Sequence, residues 1–126
     1  MGITVEIENR SGQEVDAEAA AELATRVLSR EGIHEGELGI SFVGPDEMRR
    51  LKQEHLGVDE VADVLAFPVD GRDELPDGIP RQLGDALVCP QVVGASWRGP
   101  LVHALLHLLG YEHGPDMEAR EGRHRP

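Results

Sequence analysis

Aromatic residues are nearly missing from this sequence: it has two Phe, one Trp and one Tyr in 126 residues. Any core must therefore be built from Val, Leu, Ile and Ala. Cysteine is confined to Cys89, so no internal disulfide can form, and a cytoplasmic location is the expectation. No stretch approaches the ~20 apolar residues of a membrane span. The opening MGITVEIEN has neither a basic start nor an apolar run that would mark secretion. Lysine is scarce too, since all the basic residues except Lys52 are Arg. Positive charge as a whole is short: 12 Lys and Arg face 24 Asp and Glu, a formal net charge of −12. Such a balance favours solubility and opposes loose association with nucleic acid or anionic membrane.

What is present reads as one domain over residues 1–126, long enough to hide roughly two-thirds of its unfolded surface. Ile3, Val5 and Ile7 alternate with Thr4 and Glu6, the period of a half-buried strand. Ala20, Leu23, Ala24, Val27 and Leu28 recur at helical spacing, with Asp16 able to cap the start and Gly32 the end. Leu38–Val43 is predicted as a second strand, and Pro45 and Asp46 open a short helix to about His55. Val61–Val69 reads as a strand stopped at Pro68, and 70–82, rich in Gly, Pro and Asp, as a loop. Leu83–Cys89 forms another strand, Pro90–Ser96 about two helical turns, and Pro100–Leu109 a helix, followed by a polar, helical tail. No repeat or linker interrupts the order. The class is α+β: one mixed sheet of about four strands backed by helices.

One of those helices carries an unusual cargo. In VHALLHLLGYEHG, an otherwise apolar stretch holds His103, His107 and His113. His103 and His107 stack on one helix face about 5.4 Å apart. Gly110 can adopt the left-handed conformation that reverses the chain and returns His113 toward them. Three imidazole nitrogens and a fourth position left to water, or left open, describe a catalytic zinc site with one ion per chain. The competing reading is three hydrogen-bonded core histidines; the spacing and the glycine at the bend favour ligation. Metzincin proteases share the spacing but place a general-base Glu after the first His. Here that residue is Ala104, which argues against peptide cleavage.

VHALLHLLGYEH also resembles HGxLHLxGYDH, the signature of the YbeY family of bacterial rRNA-maturation endoribonucleases. VADVLAFP resembles that family's TDVLSFP, and LGDALVCPQVV resembles its LGDIVIC strand and the residues after it. The likeness runs from about residue 3 to 113. It implies an α+β fold with a metzincin-like three-histidine helix in a cleft. It also implies zinc-dependent, single-strand-specific cleavage of RNA in 16S rRNA 3′-end maturation and ribosome quality control. The implied partners are single-stranded RNA, rRNA and the ribosome or its small subunit, with no membrane and no DNA. Several positions depart from the pattern. Leu56 stands where the family carries an Arg thought to serve activity. Ala62, Ala66, Ala104 and Glu112 replace its Thr, Ser, Gly and Asp. GASWRGPLV, before His103, is about ten residues shorter than usual.

Beyond the histidines, Asp85 is the candidate to hold the second nitrogen of a ligand histidine, and Asp63 invites the same suggestion. Cys89 is read as a small core residue, Glu112 as a brace for the turn, Trp97 as a packing anchor, and His55 and His124 as solvated. Basic residues fall into three sets: Arg49, Arg50 and Lys52; Arg72 and Arg81; and Arg120, Arg123 and Arg125. At least two must converge on the histidines if RNA is the substrate. Against the endoribonuclease stand a non-catalytic zinc-binding, ribosome-associated factor, favoured by Leu56 and the shortened segment, and a zinc hydrolase of a small substrate.

Overall fold

The computed structural model describes residues 2–56, 63–112 and 114–124. Four strands, β1 (Ile3–Arg10), β2 (Gly36–Val43), β3 (Val64–Pro68) and β4 (Gln82–Val88), form one sheet in the order β1-β2-β4-β3. The β1–β2 and β2–β4 pairs are parallel; β3 runs antiparallel to β4. Among the described residues, five α-helices accompany the sheet: α1 (Ala17–Arg30), α2 (Pro45–Leu56), α3 (Pro90–Val93), α4 (Arg98–Leu108) and α5 (Pro115–Arg123). The elements track the hydrophobic periods closely. Asp16 caps α1 by accepting from the Ala19 N–H at 3.0 Å. The start at Val61 predicted for β3 lies outside the described residues.

Two apolar clusters sit on opposite faces of the sheet. The larger gathers Leu38, Ile40 and Phe42 of β2 and Ala86 and Val88 of β4 with α1 and α4. The smaller joins Val43, Leu65, Leu87 and Cys89 to Met48 of α2. Alternation along a strand assigns these faces, but β4 breaks its own period. The register with β2 slips at Glu37/Leu38: Glu37 pairs with Gln82 and Leu38 with Gly84. The extra residue, Leu83, makes a bulge. Leu83 and Ala86 therefore both reach the larger core although they are three apart.

Gly84 completes that bulge at φ +129°, and a Cβ there would collide with the Phe67 carbonyl oxygen and lie 3.0 Å from Pro68 Cα. Leu108 of α4 is packed against the same spot. We expect Gly84→Ala to cost ~2–4 kcal/mol, from strain at a positive φ and from displacement of β3. Urea denaturation checks this; parental stability in the variant refutes it.

Candidate metal centre

Helix α4 is hydrophobic on nearly every side because it is enclosed on nearly every side. Leu101, Val102, Ala104, Leu105, Leu106 and Leu108 are all buried among the sheet, α1 and α5. From Leu101 onward, His103 and His107 are the half-buried exceptions, and the four-residue spacing puts them on one face. Their rings meet edge to face, with centroids 4.6 Å apart and planes at 83°.

Each ring is held by its Nδ1. His107 Nδ1 lies 2.9 Å from the Tyr111 carbonyl oxygen, which can only accept, so this nitrogen carries the proton. His103 Nδ1 lies 3.1 Å from Glu121 Oε1 of α5 and donates to that carboxylate. These tautomers are set by the partners. Both Nε2 atoms then present lone pairs, and they face each other at 3.1 Å. Two lone pairs at that distance repel unless a cation or a shared proton lies between them. Two nitrogens bound to one tetrahedral zinc at ~2.0–2.1 Å stand about 3.3 Å apart, so the observed separation fits a shared ion.

The chain reversal that supplies the Tyr111 carbonyl is itself a helix cap. Gly110, at φ +96°, donates its N–H to the His107 carbonyl at 3.0 Å, and Tyr111 donates to that of Leu106 at 3.1 Å. This paired closure is a Schellman motif. It swings the backbone of residue 111 beneath the imidazole four residues earlier. His113, the third predicted ligand, lies outside the described residues. Among those that are described, no group of three or more His, Cys, Asp or Glu converges as a metal site.

Asp85 does not take the role anticipated for it beside His103 or His107. Because Ala86 and Val88 face α4, Asp85 points to the other face of the sheet, where it is exposed and its carboxylate covers Gly39. The bulge at Leu83 hides this in the sequence, since strict alternation counted from Leu83 gives the wrong side. Asp63 is engaged locally: its Oδ1 accepts the Val64 N–H at 2.8 Å. Cys89 is fully buried in the smaller cluster, away from α4. Trp97 packs against the larger core, with the Arg98 guanidinium 4.4 Å from its ring centroid. Glu112 is exposed, as is His55, whose ring lies 4.8 Å from that of Phe67.

His124 is not solvated. It is 3% exposed, and its Nε2 lies 2.7 Å from Oε2 of Glu31, the residue that ends α1. Glu31 is buried as well. Its Oε1 accepts from Arg72 at 3.1 Å and from Tyr111 Oη and Arg120, both at 3.2 Å. Burial, the strongest influence, opposes ionisation of this carboxyl. The His124 hydrogen bond, the Arg120 charge and the Tyr111 hydroxyl together outweigh it and hold the pKa below the usual range. Two of the predicted basic residues, Arg72 and Arg120, are thus engaged here. A third, Arg81, clips the long loop through the carbonyls of Gly71 and Asp73. Neither Glu31 nor Glu121 stood out in the sequence. A charged residue at a helix end is exposed by default, and nothing local marks the exception.

The family model described as Endoribonuclease YbeY matches residues 6–125. The chain belongs to the YbeY family. Curated relatives named Endoribonuclease YbeY include one from Salinispora tropica, 35% identical across 94% of this chain and 88% of its own length. Another, from Acidothermus cellulolyticus, is 39% identical across 94% of this chain and 84% of its own. The first of these alignments runs over 139 positions, more than the 126 residues here, so that YbeY relative carries residues this chain lacks. A solution structure of a Thermotoga maritima protein superposes with a TM-score of 0.58 at 23% identity, covering 96% of this chain and 86% of the other. That likeness establishes the shared fold, and YbeY membership makes the chain an endoribonuclease, a hydrolase acting on RNA.

Proposed function

We propose that this chain is a zinc-dependent endoribonuclease specific for single-stranded RNA, with His103, His107 and His113 holding one ion as a three-histidine, metzincin-like site. The observation that carries the metal is the pair of Nε2 atoms 3.1 Å apart with both Nδ1 atoms secured. Such an ion, when bound, supplies Lewis acidity toward a phosphoryl oxygen and toward attacking water.

The remaining work falls to the protein. Glu121 and the Tyr111 carbonyl fix both imidazoles in the tautomer that puts the lone pair on Nε2. The buried aliphatic residues of α4 keep bulk water from the back of the rings. Ala104, fully buried beside His103, offers no carboxylate where a metzincin has its base, so peptide hydrolysis is not part of this reading. Arg72 and Arg120 stand 5.8 and 5.3 Å from the Tyr111 ring centroid. Both are ion-paired to Glu31, so one of their two charges is left over beside the turn that leads out of the histidine helix, where it favours an approaching phosphate backbone. Processing of the 16S rRNA 3′ end on the ribosome or small subunit, ribosome quality control, a cytoplasmic location and a single domain over 1–126 complete the proposal. DNA and membrane are not partners in it. Among the described residues, no helix is long and apolar enough to cross a membrane.

Incubating the protein with single-stranded and duplex RNA, with and without a chelator, tests the reading. Cleavage of the single strand that chelation stops and zinc restores is the expected result. Chelator-resistant cleavage, or equal cleavage of the duplex, overturns it.

A further inference from the structure

Both nitrogens that steady the histidine pair lead back to one buried carboxylate. His107 leans on the Tyr111 carbonyl, and the Tyr111 hydroxyl donates to Glu31 Oε1 at 3.2 Å. His103 leans on Glu121 of α5. The residue before Glu121, Arg120, donates to Glu31 at 3.2 Å, and His124, three residues after it, lies 2.7 Å from the other Glu31 oxygen. The Glu31 side chain is 1% exposed, so these donors, with Arg72, stand in place of water around it. A carboxylate accepts about four hydrogen bonds, and this one is close to full. Among the described residues, His124 Nδ1 has no hydrogen-bond partner, so the ring is anchored in this cluster by its Nε2 alone.

We propose that Glu31 is a positioning residue for the histidine site, acting through Tyr111 on His107 and through α5 and Glu121 on His103. This rests on the metal reading above but makes a separate claim. A general structural role predicts that loss of Glu31 lowers stability and nothing else. A positioning role predicts that the two imidazoles lose their fixed Nδ1–H tautomer and hold zinc less well in protein that is still folded. Removal of such outer partners typically costs about 10–100-fold in metal affinity.

The experiment uses Glu31→Gln, which keeps the shape but turns one acceptor oxygen into a donor facing other donors. Tyr111→Phe removes only the 3.2 Å link and spares the ring and the carbonyl. Glu22→Gln, exposed on α1, is the control. Two readouts are taken: zinc affinity by competition with a chromophoric chelator, and imidazole tautomers in the metal-free protein by long-range 1H–15N NMR. We expect Glu31→Gln to weaken zinc binding about 10-fold or more and to mix the tautomers of both rings. Tyr111→Phe should disturb His107 and leave His103 as in the parent, and the control should match the parent throughout.

Parental affinity and parental tautomers in folded Glu31→Gln overturn the proposal, however far its melting temperature falls. If Glu31→Gln does not fold, Tyr111→Phe decides, and an undisturbed His107 overturns the proposal. If the parent itself binds no zinc, the metal reading fails, while the tautomers of the metal-free variants still judge Glu31.

Discussion

His103→Ala and His107→Ala are each expected to remove the proposed stoichiometric zinc from the purified protein. Binding free energies of about 10–16 kcal/mol shared among three or four ligands assign about 4 kcal/mol to each, a factor on the order of 10³ in affinity. Here the loss has a further cause. With either ring gone, the remaining Nε2 loses the nitrogen that faces it at 3.1 Å, and chelation becomes monodentate on this helix. Cleavage of single-stranded RNA should disappear together with the ion. The fold should survive, because the packed surfaces of α4 are made by its leucines and not by the half-buried imidazoles. Metal analysis after dialysis and a thermal melt check both halves. Stoichiometric zinc in a variant lacking His103, His107 and His113 sinks the assignment.

Leu56→Arg is expected to raise the rate of RNA cleavage by roughly 10²–10³, the usual size of one charge-stabilising donor in an active site. Leu56 ends α2, where the family pattern places a guanidinium able to hold a phosphate through two parallel hydrogen bonds. Arg49 and Arg50 do not replace it easily. They lie on the same helix about two turns earlier, ~10 Å along the axis from residue 56. The net charge of −12 compounds the deficit, most visibly at low ionic strength where repulsion is least screened. The assay compares parent and variant on single-stranded RNA, with zinc content measured in both. A fast parent that Leu56→Arg leaves unchanged refutes this account. A parent and a variant that are both inert, with full zinc, favour the non-catalytic factor instead.

The parts of this fold that were legible in the sequence are those governed by local rules. Asp16, Pro45, Pro90 and Gly110 punctuate helices, and their action depends on neighbours a few residues away. The four-residue histidine spacing also belongs to this class, because helix geometry alone puts His103 and His107 on one face. Asp85 lies away from His103 and His107 for a tertiary reason: one extra residue at Leu83 turns the next side chains to the opposite face, and the signal for that bulge is Gly84, a glycine inside an otherwise regular strand pattern. Glu31, Glu121 and His124 escaped because their partners lie 93, 18 and 93 residues away. A buried charge becomes readable only when its compensating donors are known.

The wide separation of Glu31 from its partners also orders the assembly of the site in time. Contacts between α1 and residues 120 and 124 close loops of 89 and 93 residues, and contacts of such range form late because chain entropy opposes them until much of the fold exists. Helix α4 needs only its own turns and the adjacent sheet to bring His103 and His107 together. Docking of α5, which brings Glu121 to His103, is therefore expected among the last steps of folding, and if the pair holds an ion as proposed, tight retention is expected only once that helix has seated.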